Sequence, residues 1–124
     1  MVAASAYVPR RGDAVWLTFT PQAGHEQAGR RPAVVLSPSA YNAKVGLARL
    51  CPITSHIKGY PFEVVLPLGL AVSGAILADR VKSLDWQART AEFICALPST
   101  MVSEVLQKYL VQPGWSRAAM SRYR

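Results

Sequence analysis

The sequence predicts a mainly β domain ending in one long C-terminal helix: a small, strongly curved antiparallel sheet or barrel with the helix packed on it. Three observations predict it. Short apolar or alternating runs, about five to seven of them, are separated by turns containing Gly and Pro. One segment alone has a sustained helical period, with Val102, Val105, Leu106, Tyr109 and Leu110 at i, i+3, i+4, i+7 and i+8. The chain has 124 residues, 51% hydrophobic and 17% charged. That is enough to bury a core as one ordinary domain without metals or disulfides, and too apolar for a disordered chain.

Each element is read in turn. Ala14 to Thr20 mixes alternation with β-formers and reads as a strand that Pro21 stops. Trp16 lies in it and is expected in the core. Residues 21–31 (PQAGHEQAGRR) make a long loop for so small a domain, and long loops in compact domains tend to be functional. Pro32 to Leu36 is a short buried strand, and Ala40 to Val45 is expected to form one helical turn. Leu47 to Cys51 is a strand ended by Pro52, followed by the turn-like ITSHIKGYP of residues 53–61. Phe62 to Leu66, Gly74 to Ala78, Val81 to Leu84 and Ala91 to Leu97 complete the strands, with a short connection of helical potential over residues 85–90. Pro98 and Ser99 start the helix and Pro113-Gly114 stop it. Residues 1–112 then form the domain, and 113–124 a basic tail that is loosely ordered unless a partner holds it. Apolar strand edges in this number are expected to be protected by dimerisation.

Lys and Arg number 14 against 7 Asp and Glu, a formal net charge of +7. Such an excess points to a polyanionic partner: nucleic acid, a membrane surface or an acidic protein segment. The plainer alternative is a basic surface that keeps the domain soluble. No apolar run approaches the ~18 residues of a membrane span. Residues 1–7 lack the basic start of a secretory signal, so cytoplasmic residence is expected. Cys51 and Cys95 have no metal-ligand spacing and sit in apolar strands, where buried, inert thiols are expected.

The densest group of reactive side chains is GHEQAGRRP, residues 24–32. His25 suits general acid–base work near neutral pH. Glu26 accepts a proton or orients a cation. Arg30 and Arg31 are fork-shaped donors suited to phosphate oxygens. The alternative is a solvated loop whose charges pair with one another. Thr54-Ser55-His56 brings hydroxyls to a strand end, where they either serve a phosphate or bond their own backbone. Strand alternation through Asp79 to Ser83 would place Asp79, Val81 and Ser83 on one face and Arg80 and Lys82 on the other, or the run is simply a charged edge. Tyr60, in a turn between Gly59 and Pro61, is the best base-stacking candidate, ahead of Trp86 and Trp115. Two histidines, few carboxylates and no acidic cluster argue against a two-metal nuclease. A phosphodiester cut without metal needs its nucleophile inside the substrate. The 2′-hydroxyl of RNA supplies one and DNA has none.

Glu26-Gln27-Ala28-Gly29-Arg30-Arg31-Pro32 resembles the E-Q-x-G-x-R-P signature of the MazF/PemK family of toxin endoribonucleases. The likeness continues through Pro32 to Pro38, Tyr41-Asn42, Cys51 to Ser55, Lys58 to Val64, Leu77 to Ser83 and Trp86 to Arg89, so it spans residues 7–111 in the family's order. The resemblance implies the SH3-like barrel of the CcdB/MazF type of plasmid-maintenance toxins, as a homodimer. It implies metal-independent, sequence-specific cleavage of single-stranded RNA with no cofactor, leaving a 2′,3′-cyclic phosphate and a 5′-hydroxyl. It also implies a cognate antitoxin whose acidic, disordered C-terminal segment blocks the site, which a +7 surface suits.

Carried over by position, Arg31 and Thr54 are the catalytic pair of MazF-like members. His25 matches a loop histidine that PemK-like members use in catalysis or RNA binding, and Asp79 matches a PemK-like catalytic aspartate. The PemK-like arginine two positions before that aspartate is Leu77 here, which favours the Arg31/Thr54 version. Arginine is a poor base, with a pKa above ~12, so the 2′-hydroxyl proton falls to His25 or Glu26. Gln27, Arg30, Ser55, Lys58, Tyr60, Asp79, Arg80 and Lys82 are the expected RNA contacts. Arg80 stands where many members have glutamine. Two rivals stay open: a related barrel that binds gyrase without cutting, and an RNA-binding module that does not cleave.

Overall fold

The computed structural model describes residues 7–19 and 29–110. Its strands are β1 (Asp13–Thr18), β2 (Arg30–Val35), β3 (Leu47–Thr54), β4 (Glu63–Val65), β5 (Ala75–Leu77), β6 (Lys82–Asp85) and β7 (Glu92–Ala96). A short helix α1 (Ser39–Val45) joins β2 to β3, and a C-terminal helix, α2, covers residues 99–110. The strands form one antiparallel sheet in the order β4-β5-β3-β2-β1-β7, with β6 pairing β3 off this path. The expected mainly β fold with a C-terminal helix is present. The barrel is not closed, because β4 and β7 end the path without pairing to each other.

Both faces of the sheet are covered, and the two-residue period of the strands divides the core between them. Ala14, Val34, Cys51, Ile53, Val64 and Ile76 pack with Met101, Val102 and Val105 of α2. Val15, Leu17, Ala33, Val35, Ala48 and Leu50 pack on the other side with Trp86. Each fully buried aliphatic side chain contributes about 1.5–3 kcal/mol, so these two layers supply most of the drive to fold. Asn42 locks α1 to the rest. It is wholly buried, its amide donates to the carbonyls of Pro9 and Ser37, and its own carbonyl accepts the Trp86 indole N–H at 3.0 Å. Among the described residues no helix is long and apolar enough to cross a membrane.

Several expectations need correction. β3 does not end before Pro52 but runs through it to Thr54. On one side β3 pairs β6 as far as Leu50 and β5 from Ile53 onward. Pro52 sits in the gap where the partner changes, so its missing N–H costs no ladder bond. Trp16 is 41% exposed rather than in the core: Val15 and Leu17 pack on the Trp86 face, and the cover on the opposite face buries Ala14 but stops short of Trp16. Trp86, considered for stacking, is instead a core residue. Residues 86–90 form turns rather than a helix, closed by the N–H of Thr90 donating to Gln87 and that of Ala91 to Trp86. Leu110 is 65% exposed, so the apolar stripe of α2 fades before the helix does. Cys95 is only half-buried, on the end strand β7.

Candidate active site

β2 and β3 separate at one point, and Pro32 decides where. Their ladder pairs Val35 with Leu50, Val34 with Cys51 and Ala33 with Pro52. It follows from the N–H of Leu36 donating to the Arg49 carbonyl at 2.8 Å, and bonded and non-bonded pairs alternate from there. The next bonded pair after Ala33 and Pro52 would need an N–H from Pro32 directed at Ile53, and proline has none. Beyond this point β2 stays with β1, through Leu17 opposite Arg31 and Thr18 opposite Arg30. β3 goes to β5, through Ile53 opposite Ile76 and Thr54 opposite Ala75. Had the β2–β3 register run two residues past its last pair, it would have set Arg31 across from Thr54. These two residues therefore stand on the two lips of a fork in the sheet. Arg31 is exposed and Thr54 half-buried.

Thr54 is held from two sides. Its hydroxyl oxygen accepts the N–H of His56 at 3.1 Å, which leaves the hydroxyl proton available to donate outward. Gly74 lies directly against its backbone. The φ of Gly74 is +118°, and any Cβ there would overlap the Thr54 carbonyl. Only glycine allows that approach.

The turn after β3 is braced by a carboxylate at the start of β4. Glu63 is buried and accepts the N–H of Gly59 at 2.7 Å and that of Lys58 at 3.0 Å. From α2, the ammonium of Lys108 donates to the Pro61 carbonyl at 2.7 Å. This fixes the turn carrying Lys58 and Tyr60. The Tyr60 phenol donates to Asp79 Oδ1 at 3.3 Å. Partial burial raises that phenol above its ordinary value, and the Asp79 carboxylate adds to the shift. Burial, again reinforced by Asp79, pushes the Cys51 thiol up to about 12.

Asp79 and Arg80 occupy the turn between β5 and β6, closed by the N–H of Arg80 donating to Leu77 at 3.1 Å. The alternation expected over residues 79–83 fails at this turn, since the strand begins only at Lys82. Lys82 lies opposite Leu50, four residues along β3 from Thr54.

The structure thus brings Arg31 and Thr54 to one fork, with Ser55 next in chain. Tyr60 and Asp79, with Lys58 and Arg80 near them in chain, are brought together by the Tyr60–Asp79 bond. Arg30 is directed elsewhere, onto Thr18, Thr90 and Glu92. His25, Glu26 and Gln27, with Trp115 and the tail 113–124, lie outside the described residues. Among the described residues no group of His, Cys, Asp and Glu comes together as a metal site would require. Glu63, Gly74 and the role of Pro32 were missed from sequence. Glu63 left one signal, a lone carboxylate between apolar Phe62 and Val64.

A family model described as PemK-like, MazF-like toxin of type II toxin-antitoxin system matches residues 10–111. The chain belongs to this family. It is 56% identical over 87 residues to the endoribonuclease toxin MazF of Escherichia coli K12, covering 70% of this chain and 78% of that one. It is 34% identical over 101 residues to the endoribonuclease PemK of Escherichia coli, covering 77% and 75%. The crystal structure of MazF from Deinococcus radiodurans matches with a TM-score of 0.79 and 57% identity, over 87% of this chain and 98% of that chain. A MazE–MazF crystal structure from the same organism matches with a TM-score of 0.78 and 50% identity, over 87% and 97%. This MazF-family chain is an endoribonuclease, the RNA-cleaving toxin of a type II toxin–antitoxin system.

Proposed function

We propose that this MazF-family toxin cuts single-stranded RNA at a short recognition sequence without a metal, using Arg31 and Thr54 as the groups that hold the scissile phosphate. The observation that carries the reading is the position of these two residues on opposite lips of the β2–β3 fork. Arg31 offers a planar, permanently charged fork to two phosphate oxygens. Thr54 adds a hydroxyl donor. Both stabilise charge that builds on the phosphoryl oxygens as the substrate's own 2′-oxygen attacks. The 2′-oxygen bonds to phosphorus as the bond to the 5′-oxygen breaks, giving a 2′,3′-cyclic phosphate. The 2′-proton passes to a base and the departing 5′-oxygen gains a proton. Arg31 is too weak a base for the first transfer, so that role falls to His25 or Glu26.

Around this centre, Lys58, Arg80 and Lys82 hold neighbouring phosphates, Tyr60 stacks a base, and Gln27, Ser55 and Asp79 read base edges. Residues 1–112 act as the toxin domain, as a homodimer in the cytoplasm, with 113–124 as a basic tail. An antitoxin with an acidic, disordered C-terminal segment occupies the same basic surface.

The test uses a long single-stranded RNA incubated with the protein in chelator. Wild-type protein should cut at a recurring short site. Arg31→Ala should lose about 2–4 kcal/mol of transition-state stabilisation, the scale of one removed electrostatic donor. Near-normal cutting by that variant would reject the assignment.

A further inference from the structure

We propose that Arg30 is a positioning residue for RNA cleavage, holding the start of β2 and so the direction of Arg31, rather than a ligand for RNA phosphate. The proposal rests on the cleavage reading above and on a pair of interlocked arginines. Arg30 Nη1 donates to Thr18 Oγ1 at 3.1 Å and to the Arg89 carbonyl at 3.4 Å. Its Nη2 donates to the Thr90 carbonyl and to Glu92 Oε1, both at 2.9 Å. One guanidinium thereby joins β1, the 86–90 turn and the start of β7. Arg89 reaches back the other way. Its Nη1 donates to the carbonyls of Thr18 at 3.1 Å and Phe19 at 2.6 Å. The N–H of Thr18 closes the set on the Arg89 carbonyl at 3.0 Å.

The place of this clamp gives it meaning. Pro32 ends the β2–β3 ladder, and among the described residues the ladder pairs residues 30 and 31 with β1. Arg30 is paired with Thr18 in that ladder, and both arginines grip Thr18. The clamp fixes this end of β2, one residue from Arg31. The Arg30–Glu92 ion pair is not the main element. Its side chains are 31% and 68% exposed, and exposed pairs contribute little. The hydroxyl and carbonyl acceptors set the geometry, and they need a planar fork with several donors. A lysine ammonium carries the same charge from a single point and cannot serve them together. A phosphate that took the two Nη groups of Arg30 would have to break these bonds.

The test compares wild type, Arg30→Ala, Arg30→Lys and Arg89→Lys by kcat and KM for a cleavable RNA, with Arg31→Ala as the inactive reference. It adds the salt dependence of binding to an oligomer whose cut site is 2′-deoxy, and the Tm of each protein. A displacement of about 1 Å at a reacting group costs on the order of 100-fold. Arg30→Ala should therefore lower kcat roughly ten- to a hundredfold with KM nearly unchanged, and leave the slope of log K against log salt as in wild type. Arg30→Lys should not restore kcat, and Arg89→Lys should show the same pattern, which keeps the test open if Arg30→Ala does not fold. Two results overturn the proposal. One is a salt slope lower by about one charge in Arg30→Ala with recovery in Arg30→Lys, the mark of a phosphate contact. The other is a lower Tm with wild-type kcat, the mark of a structural role alone. Wild-type protein that does not cut at all would remove the cleavage reading itself, and the reference reaction reveals that separately.

Discussion

Gly74 lies so close to Thr54 that a Cβ at position 74 would overlap the Thr54 carbonyl oxygen. The same Gly74 carries a φ of +118° and gives its carbonyl to the N–H of Leu66 at 2.8 Å. The lead into β5 therefore sets the end of β3 by direct backbone contact, at the residue proposed to donate to phosphate. Gly74→Ala should cost about 1–3 kcal/mol of stability or more, from backbone strain and the displaced Thr54 carbonyl. Denaturant unfolding measures the first effect. Cleavage by the fraction that remains folded should fall as well, because Thr54 moves.

Thr54→Val keeps the shape of the side chain and removes its donor. Cleavage should drop roughly 10²–10³-fold, as for one lost donor to a developing oxyanion. Thr54→Ser keeps the hydroxyl and should retain most of the activity. Equal losses in the two variants would assign Thr54 a packing role.

Glu63→Gln tests the brace beneath Lys58 and Tyr60. A charged acceptor of backbone N–H groups becomes a neutral one, and such bonds weaken by about half. The turn should loosen without unfolding the sheet. RNA affinity should fall and amide exchange at Lys58 and Gly59 should quicken, while kcat at saturating RNA changes less. Unchanged exchange at those two amides would contradict the bracing role.

Stability should decline in alkaline solution. The Cys51 thiol holds its proton to about pH 12 in the folded protein, against 9.0 when free. Between those values the unfolded chain releases a proton that the folded chain keeps, so stability falls as pH rises. Its contribution is fully present below about pH 9. One such group gives a slope of about 1.4 kcal/mol per pH unit. The raised phenols of Tyr7 and Tyr60 act in the same direction above pH 10. Unfolding curves from pH 7 to 11 should show the decline, and Cys51→Ala should flatten part of it.

Much of this molecule is legible in the residue order, and the exceptions have physical causes. The helical period of residues 102–110 and the alternation in β1 announce their elements, because burial on one face leaves a repeating mark. The motifs around Arg31 and Thr54 single them out as candidates. Their place on either side of a fork is not legible there, because it depends on a register that two prolines shape in opposite ways. Pro32 ends a ladder since its N–H was needed. Pro52 does not end β3 since its N–H was not. Local sequence carries no information about which side of a strand has a partner. Trp16 escapes for a related reason: alternation says that β1 has two faces but not how far along the strand each is covered. Arg30 looks like a phosphate ligand by composition, and only the approach of residues 89–92 adds three protein acceptors to the Thr18 hydroxyl.

The central claim is that Arg31 and Thr54 hold a ribonucleotide linkage while the sugar's own 2′-oxygen breaks it. The most direct measurement uses one short single-stranded RNA containing the cut site, with and without a single 2′-deoxy substitution at the nucleotide before the scissile phosphate, in excess chelator. The all-ribose strand should be cut to a 2′,3′-cyclic phosphate and a 5′-hydroxyl, and the substituted strand should bind but stay whole. Cutting of both strands at similar rates would contradict the account.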